Sequence, residues 1–267
     1  MIVTGAGGRL GRILQAGWAD GMASGLRPVW TGRGGLSPTR WDMLSEPPPA
    51  GLPQGAVVLH LAGVTRGSED HLQANVDLVQ PLLGLCRQVG ARRLLFLSSA
   101  AVYPAGALLP ESAPPAPPNA YGRSKAKAEA LVMAQGETPV TIIRPGNIAG
   151  ADALLGPRPP AEIVLDPVPG RPGGPLRSWI GARVLVQALA ALCQRDLPPV
   201  LNLAQSPPLP MADLLDASAL PWRYGPTPAT VPVATQDVSL LHGLIDVPPA
   251  TPRQLAQEAA WARGVLA

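Results

Sequence analysis

The sequence predicts a doubly wound α/β fold, a parallel sheet with helices on both faces, followed by a small loop-rich C-terminal lobe. Three observations carry this expectation. The chain opens on a short apolar run, a glycine-rich turn and an amphipathic pattern. Apolar runs of strand length then alternate with helical stretches up to residue 150, the arrangement of a parallel sheet built through right-handed crossovers. Beyond that point the composition turns to proline, with seven in residues 151–178. A chain of 267 residues is one large domain or a domain with a small lobe, so the expected division is 1–150 and 151–267.

Met1, Ile2 and Val3 form the first strand. The turn TGAGGRLG of residues 4–11 follows, and Leu10, Ile13, Leu14 and Trp18 set the apolar face of a helix. Strands are expected at 28–31, 56–61, 94–98 and 140–143, each bounded by Gly, Pro or Ser. Helices are expected over 69–89, with a kink or break at Pro81, and over 121–135. In the last third, a helix is expected at 180–194, a strand at 200–203 and a final helix at 252–265. This lobe is read as loops whose pieces partly return to the main sheet.

Composition excludes several classes. The formal charge is only +3 and no basic run stands out, which argues against a nucleic-acid partner. Nineteen of the 21 basic residues are arginine, leaving Lys125 and Lys127. Cys86 and Cys193 are isolated in apolar stretches, and His60, His71 and His242 have no ligand spacing, so neither a disulfide framework nor a metal is expected. No apolar run reaches membrane-spanning length and no charged segment precedes one at the start, so a soluble, cytoplasmic protein is expected.

Two features carry chemistry. Tyr121 and Lys125 stand four residues apart in a helix-favouring stretch, so phenol and ammonium share a face. A cation there is expected to pull the phenol pKa down and make Tyr121 a proton-transfer group. Gly5, Gly8 and Gly11, between a strand and a helix, let backbone approach a pyrophosphate at the helix amino end. The end of the second strand lacks the acidic residue that binds the ribose of NAD; Arg33 stands there, and Asp42 is the first carboxylate after it. Arg33 with Arg9 is expected to clamp a 2′-phosphate, favouring NADP, with NAD as the alternative.

Together these residues resemble the extended short-chain dehydrogenase/reductases, also called the NAD-dependent epimerase/dehydratase family. The resemblance spans most of the chain: TGAGGRLG at 4–11 is similar to the cofactor loop, and HLAG at 60–63 to the segment after the third Rossmann strand. LSSAAVY at 97–103 resembles the serine-bearing strand end, YGRSK at 121–125 the YxxxK motif, and RPGN at 144–147 the segment after the next strand. RSWI at 177–180 and LNL at 201–203 resemble weaker markers of the substrate lobe.

The resemblance implies a Rossmann-type oxidoreductase or epimerase that moves hydride at a carbinol or carbonyl carbon of a small-molecule substrate, with Tyr121 as general acid/base and Lys125 holding the nicotinamide ribose. Ser99 would hydrogen-bond the substrate carbonyl or alcohol, or simply cap the next turn. Leu10, Leu61, Ala62, Gly63 and Pro145 would join Gly5, Gly8, Arg9, Gly11, Arg33, Asp42, Tyr121 and Lys125 around the cofactor. Asn147 and Arg177 would meet substrate, Arg177 at a phosphate, and Asn75 would support the sheet edge. A homodimer through the helices of residues 69–89 and 121–135 is also implied, although such faces pack on sheets as readily. A non-catalytic NAD(P)-sensing or scaffold protein is the alternative. The chain departs from the pattern in its abbreviated lobe, in Ala149-Gly150 where Tyr-Gly is common, and in the lack of an acid at 181–184. Only three residues precede Thr4, so the first strand is short or the start is misplaced.

Overall fold

A computed structural model of the protein describes residues 1–34, 37–157 and 162–267. The chain runs through β1 (Ile2–Thr4), α1 (Arg9–Ala19), β2 (Val29–Gly32), β3 (Thr39–Arg40), β4 (Val57–His60), α2 (Glu69–Asp77), α3 (Val79–Gln88) and β5 (Arg93–Leu97). A 3₁₀ turn (Ala100–Val102), β6 (Gly106–Leu109), α4 (Ala120–Ala134), β7 (Val140–Pro145) and β8 (Asn147–Ile148) complete the first part. The remainder holds β9 (Ile163–Leu165), β10 (Leu176–Ile180), α5 (Ala182–Leu192), β11 (Val200–Leu203) and β12 (Gln205–Pro210). It ends with α6 (Met211–Ala217), β13 (Trp222–Tyr224), β14 (Val233–Gln236), α7 (Ser239–Leu244) and α8 (Pro252–Leu266).

Seven strands form the main sheet in the order β11-β7-β5-β4-β1-β2-β3, all parallel. Side-chain alternation sorts its two faces. Val3, Leu59, Leu95 and Ile143 pack with α1 and α5, while Ile2, Val58, Leu94 and Ile142 pack with α3 and α4. The sheet is thus buried on both sides, which is why its strands read as continuous apolar runs.

The C-terminal third is more ordered than its composition predicts. A five-stranded sheet contains the path β12-β10-β14-β6, with β8 pairing β10, and β13 pairs β9 in a two-stranded sheet. A third core, with Trp179, Leu209, Leu214 and Leu255, lies under these strands. The expected helix at 180–194 starts later, because Ile180 closes β10. Pro207, Pro208 and Pro210 do not exclude β12, since it is an edge strand and needs no N–H on its open side. Pro159 and Pro160 of the proline-rich stretch lie outside the described residues. The strand expected at 200–203 is β11, which returns to the edge of the main sheet.

The helix expected over 69–89 is two helices, divided at Leu78 rather than at Pro81. The reason is local: the N–H that Pro81 lacks is the one that would pair with the Asp77 carbonyl, so the ladder fails one turn earlier. No helix among the described residues is long and apolar enough to cross a membrane.

Candidate active site

The strand order reverses between β1 and β4, and a parallel sheet takes ligands outside the carboxyl ends of its strands at such a point. A cleft of about 550 Å³ opens there. Gly5 ends β1 at φ 78°, and a Cβ on it would lie 2.5 Å from the Ala62 nitrogen, so only glycine lets the turn seat against the segment after β4. Gly8 caps α1 and carries no side chain, which leaves the first-turn N–H groups to face the cleft. Gly11, Leu10, Leu61, Ala62, Gly63 and Pro145 line the same space. A rim stripped of side chains at a helix amino end fits the pyrophosphate of a dinucleotide.

Asn75, on α2, fixes the opposite rim. Its Nδ2 donates to the Val64 carbonyl and to Ser124 Oγ, both at 2.9 Å, and its Oδ1 accepts from the Val64 N–H at 2.8 Å. Asn75 therefore ties the segment after β4 to α4, away from either edge of the main sheet. His60 stays below the surface: its Nδ1 pairs with Thr4 Oγ1 at 2.7 Å, its ring stacks on Phe96 at 5.2 Å, and burial pushes its pKa down to about 3.

The second wall brings together the three residues predicted to be catalytic. Ser99 ends the segment after β5, and its Oγ accepts from the Ala101 N–H at 3.1 Å, so it caps the 3₁₀ turn and still lines the cleft. Asn119 caps α4 by accepting from the Gly122 N–H at 2.8 Å. A Cβ on Gly122 would stand 2.1 Å from the Ala101 carbonyl oxygen, so glycine here presses α4 against the 3₁₀ turn and sets Tyr121 beside Ser99. One helical turn on, the buried Lys125 donates from Nζ to the Leu97 carbonyl at 2.8 Å and lies 4.6 Å from the Phe96 ring centroid. Burial lowers its pKa to about 8, with Glu129 pulling the other way. Beneath it, Arg144 makes a buried two-pronged pair with Glu129 at 2.7 and 3.1 Å.

Electrostatics corrects one expectation. The Tyr121 pKa is raised, not lowered: burial is the largest cause, and the Ser99 hydroxyl and the Arg9 charge oppose it. Lys125, whose ammonium donates to the Leu97 carbonyl and lies over the Phe96 ring, does not figure among the causes.

A second correction concerns Arg9. Its guanidinium donates to the Ala151 carbonyl at 2.7 Å and to Thr65 Oγ1 at 2.9 Å, bridging the cleft rather than turning towards Arg33. Arg33 is exposed one residue beyond β2, and Asp42 lies in a turn beyond β3, where its Oδ1 accepts from the Leu44 N–H at 3.3 Å. Neither lines the cleft. Arg9 and Arg33 therefore do not form the paired clamp expected from the sequence.

Asn147 and Arg177 do reach the cleft. Arg177 donates to the carbonyls of Leu176 at 2.8 Å and Val231 at 2.7 Å, and burial lowers its pKa. Sequence reasoning missed Asp152, Thr65 and Arg66 in the lining. None of the three stands in a motif, and no local signal marks them.

Residues 52–204, more than half of the chain and including Ser99, Tyr121 and Lys125, match the profile of the NAD dependent epimerase/dehydratase family. The chain belongs to that family. It is thus one of a family of nicotinamide-dependent enzymes on a Rossmann-type sheet. A UDP-glucose 4-epimerase of Azospirillum brasilense is 33% identical over 138 residues, a segment covering 40% of this chain and 40% of that protein. Among solved structures, MoeE5 in complex with UDP-glucuronic acid and NAD is similar at a TM-score of 0.77, with 22% identity and 98% of each chain covered. The UDP-glucose 4-epimerase of Bifidobacterium longum in complex with NAD+ and UDP also reaches 0.77, at 16% identity over 97% of each chain. RMD from Pseudomonas aeruginosa, complexed with NADPH, reaches 0.73 at 19% identity over 98% of each chain. At these identities the structures show a shared fold. Family membership rests on the sequence match.

Proposed function

We propose that this family member transfers hydride at a carbinol or carbonyl carbon of a sugar-nucleotide-type substrate, with Tyr121 as acid/base. The observation that carries the reading is the meeting of Ser99, Tyr121 and Lys125 with the glycine turn on one cleft. A nicotinamide dinucleotide, when bound, supplies the hydride chemistry. The Ser99 hydroxyl accepts from Ala101 and keeps its own proton to donate to a substrate oxygen. The Tyr121 phenol passes a proton to that oxygen on reduction and takes it back on oxidation. The phenol is protonated at neutral pH even at its ordinary pKa, and burial favours that neutral form further, so reduction starts from a proton-bearing Tyr121. Lys125 lines the same cleft, where its ammonium would hold the nicotinamide ribose. Arg177, paired only with carbonyls, suits a substrate phosphate. The titles of the similar proteins, UDP-sugar epimerases among them, agree with that substrate class.

NADP over NAD is part of the proposal and rests on Arg33, which follows β2 where a carboxylate would otherwise hold the ribose. A homodimer through α4 is supported by the exposed Leu131 and Met133 on that helix, and a reducing, cytoplasmic setting by the buried free thiols of Cys86 and Cys193. The test is turnover of UDP-sugars by the cofactor-loaded protein and its Tyr121→Phe variant. The variant should bind NADPH as the wild type does and lose roughly a hundredfold or more in turnover. Undiminished turnover in the variant would overturn the acid/base assignment. Cofactor binding with no turnover by the wild type on any nucleotide sugar would favour a sensing role.

A further inference from the structure

The substrate end of the cleft holds a carboxylate that proton transfer at Tyr121 does not use. Asp152 follows β8 by four residues and lines the cleft with Asn147, Tyr121 and Arg177. Its Oδ1 accepts from the Leu155 N–H at 2.9 Å, which fixes the carboxylate in its turn. Its Oδ2 accepts from the Asn147 Nδ2 at 3.4 Å, a long contact that leaves room for a further donor from the cleft. Among the described residues no lysine or arginine forms an ion pair with it. Burial raises its pKa, and the Leu155 N–H, the Asn147 amide and the N–H groups of Leu154 and Asp152 itself oppose that shift.

In the register of β8 on β10, Asn147 is level with Trp179, and Arg177 stands two residues earlier on the same strand. The cleft therefore presents a cation and, beside the adjoining strand, a carboxylate, and among the described residues neither is held in an ion pair. Asp152 is half-buried at the cleft wall, so its free lone pairs stay within reach of a ligand that carries donors.

We propose that Asp152, aided by the Asn147 amide, forms a subsite for a hydrogen-bond donor, a ring hydroxyl or an amino group, on the sugar of the substrate. Asp152 then sets which sugar is accepted, while Arg177 takes the anionic portion. This deepens the sugar-nucleotide reading above and rests on it.

Isothermal titration of the NADPH-loaded protein with UDP, UDP-glucose and UDP-glucosamine tests it, using wild type, Asp152→Asn and Asp152→Ser. Both substitutions keep an acceptor for the Leu155 N–H, so the turn retains its cap. Wild type should bind one of the two sugars more tightly than UDP. Each variant should lose roughly tenfold or more for that sugar while its UDP affinity is unchanged. A larger loss with UDP-glucosamine identifies the donor as an amine, and a larger loss with UDP-glucose identifies it as a hydroxyl. Equal losses for UDP and both sugars would make Asp152 structural and overturn the subsite, as would unchanged binding in both variants. A wild type that binds all three ligands equally also overturns it. One that binds none of them removes the sugar-nucleotide reading itself and the subsite with it.

Discussion

Replacing Lys125 with methionine should change how stability depends on pH, and the size of the effect follows from burial. The lysine pKa falls from 10.5 to about 8 in the folded protein. Below pH 8 the folded chain holds a buried ammonium that the unfolded chain would rather hold in water, so the protonated lysine is destabilising. Between the two pKa values the unfolded state binds the proton and the folded state does not, so stability rises with pH across that window. From pH 7 to pH 10 the wild type should gain about 2 to 3 kcal/mol relative to Lys125→Met. Glu129, His60 and the other titrating groups are present in both proteins, so most of their contribution cancels in the difference. At pH 7 the two stabilities should lie closer, because methionine gives up the bond to the Leu97 carbonyl and the contact with Phe96 while removing the buried charge. Urea unfolding of both proteins without cofactor, at pH 7 and pH 10, reads the double difference. Parallel pH profiles for the two proteins would refute the reasoning, since they would mean that Lys125 titrates alike in the folded and unfolded chain.

Other outcomes follow from the same structure. Glu129→Gln leaves the buried Arg144 without its countercharge and should destabilise the protein by about 3 to 5 kcal/mol in urea unfolding, whereas an exposed pair such as Arg123 with Glu69 should contribute under about 1 kcal/mol. Gly122→Ala must move the first turn of α4 off the 3₁₀ turn, so turnover should fall through displacement of Tyr121 while NADPH affinity, read by fluorescence, changes less. Arg33→Ala should weaken NADPH roughly tenfold or more and leave NADH unaffected. Equal affinities of the wild type for the two cofactors would remove the NADP preference.

What the sequence made legible was local. The glycine turn, the Ser99 strand end and the Tyr121–Lys125 spacing are each set within a few residues, and each reached the cleft. Arg9 could not be read in the same way. Its long side chain chooses between partners 56 and 142 residues away, and only the closed fold brings Thr65 and Ala151 to it. The direction of the Tyr121 shift was hidden for a related reason, because desolvation is a property of the packed site and helical spacing reports only the neighbour. In the last third, proline masked strands whose pairing partners are remote in sequence, such as β12 on β10. Asp152 lies in a turn with no periodicity, and nothing in its neighbours foretells that a carboxylate will face Asn147.

The cleft's cations share one trait that bears on what it binds. Arg9 is held by the Ala151 carbonyl and the Thr65 hydroxyl, Lys125 by the Leu97 carbonyl, and Arg177 by the carbonyls of Leu176 and Val231. Carbonyls and hydroxyls fix the direction of a side chain and leave its charge uncancelled, whereas the structural Arg144 is fixed by a carboxylate that cancels it. Among the described residues, arginines paired with carboxylates lie in the core, as Arg144, or on the surface, as Arg123, while Arg9 and Arg177 in the cleft are held without one. With Lys125 and Arg66 these two make four cationic side chains against one carboxylate, Asp152, in a protein of net charge only +3. Inside low-dielectric walls such an excess attracts anions strongly. On the proposed reading, a dinucleotide and a nucleoside-diphosphate sugar would each bring two phosphates, with Arg9 beside the glycine turn and Arg177 on β10 as a cation for each.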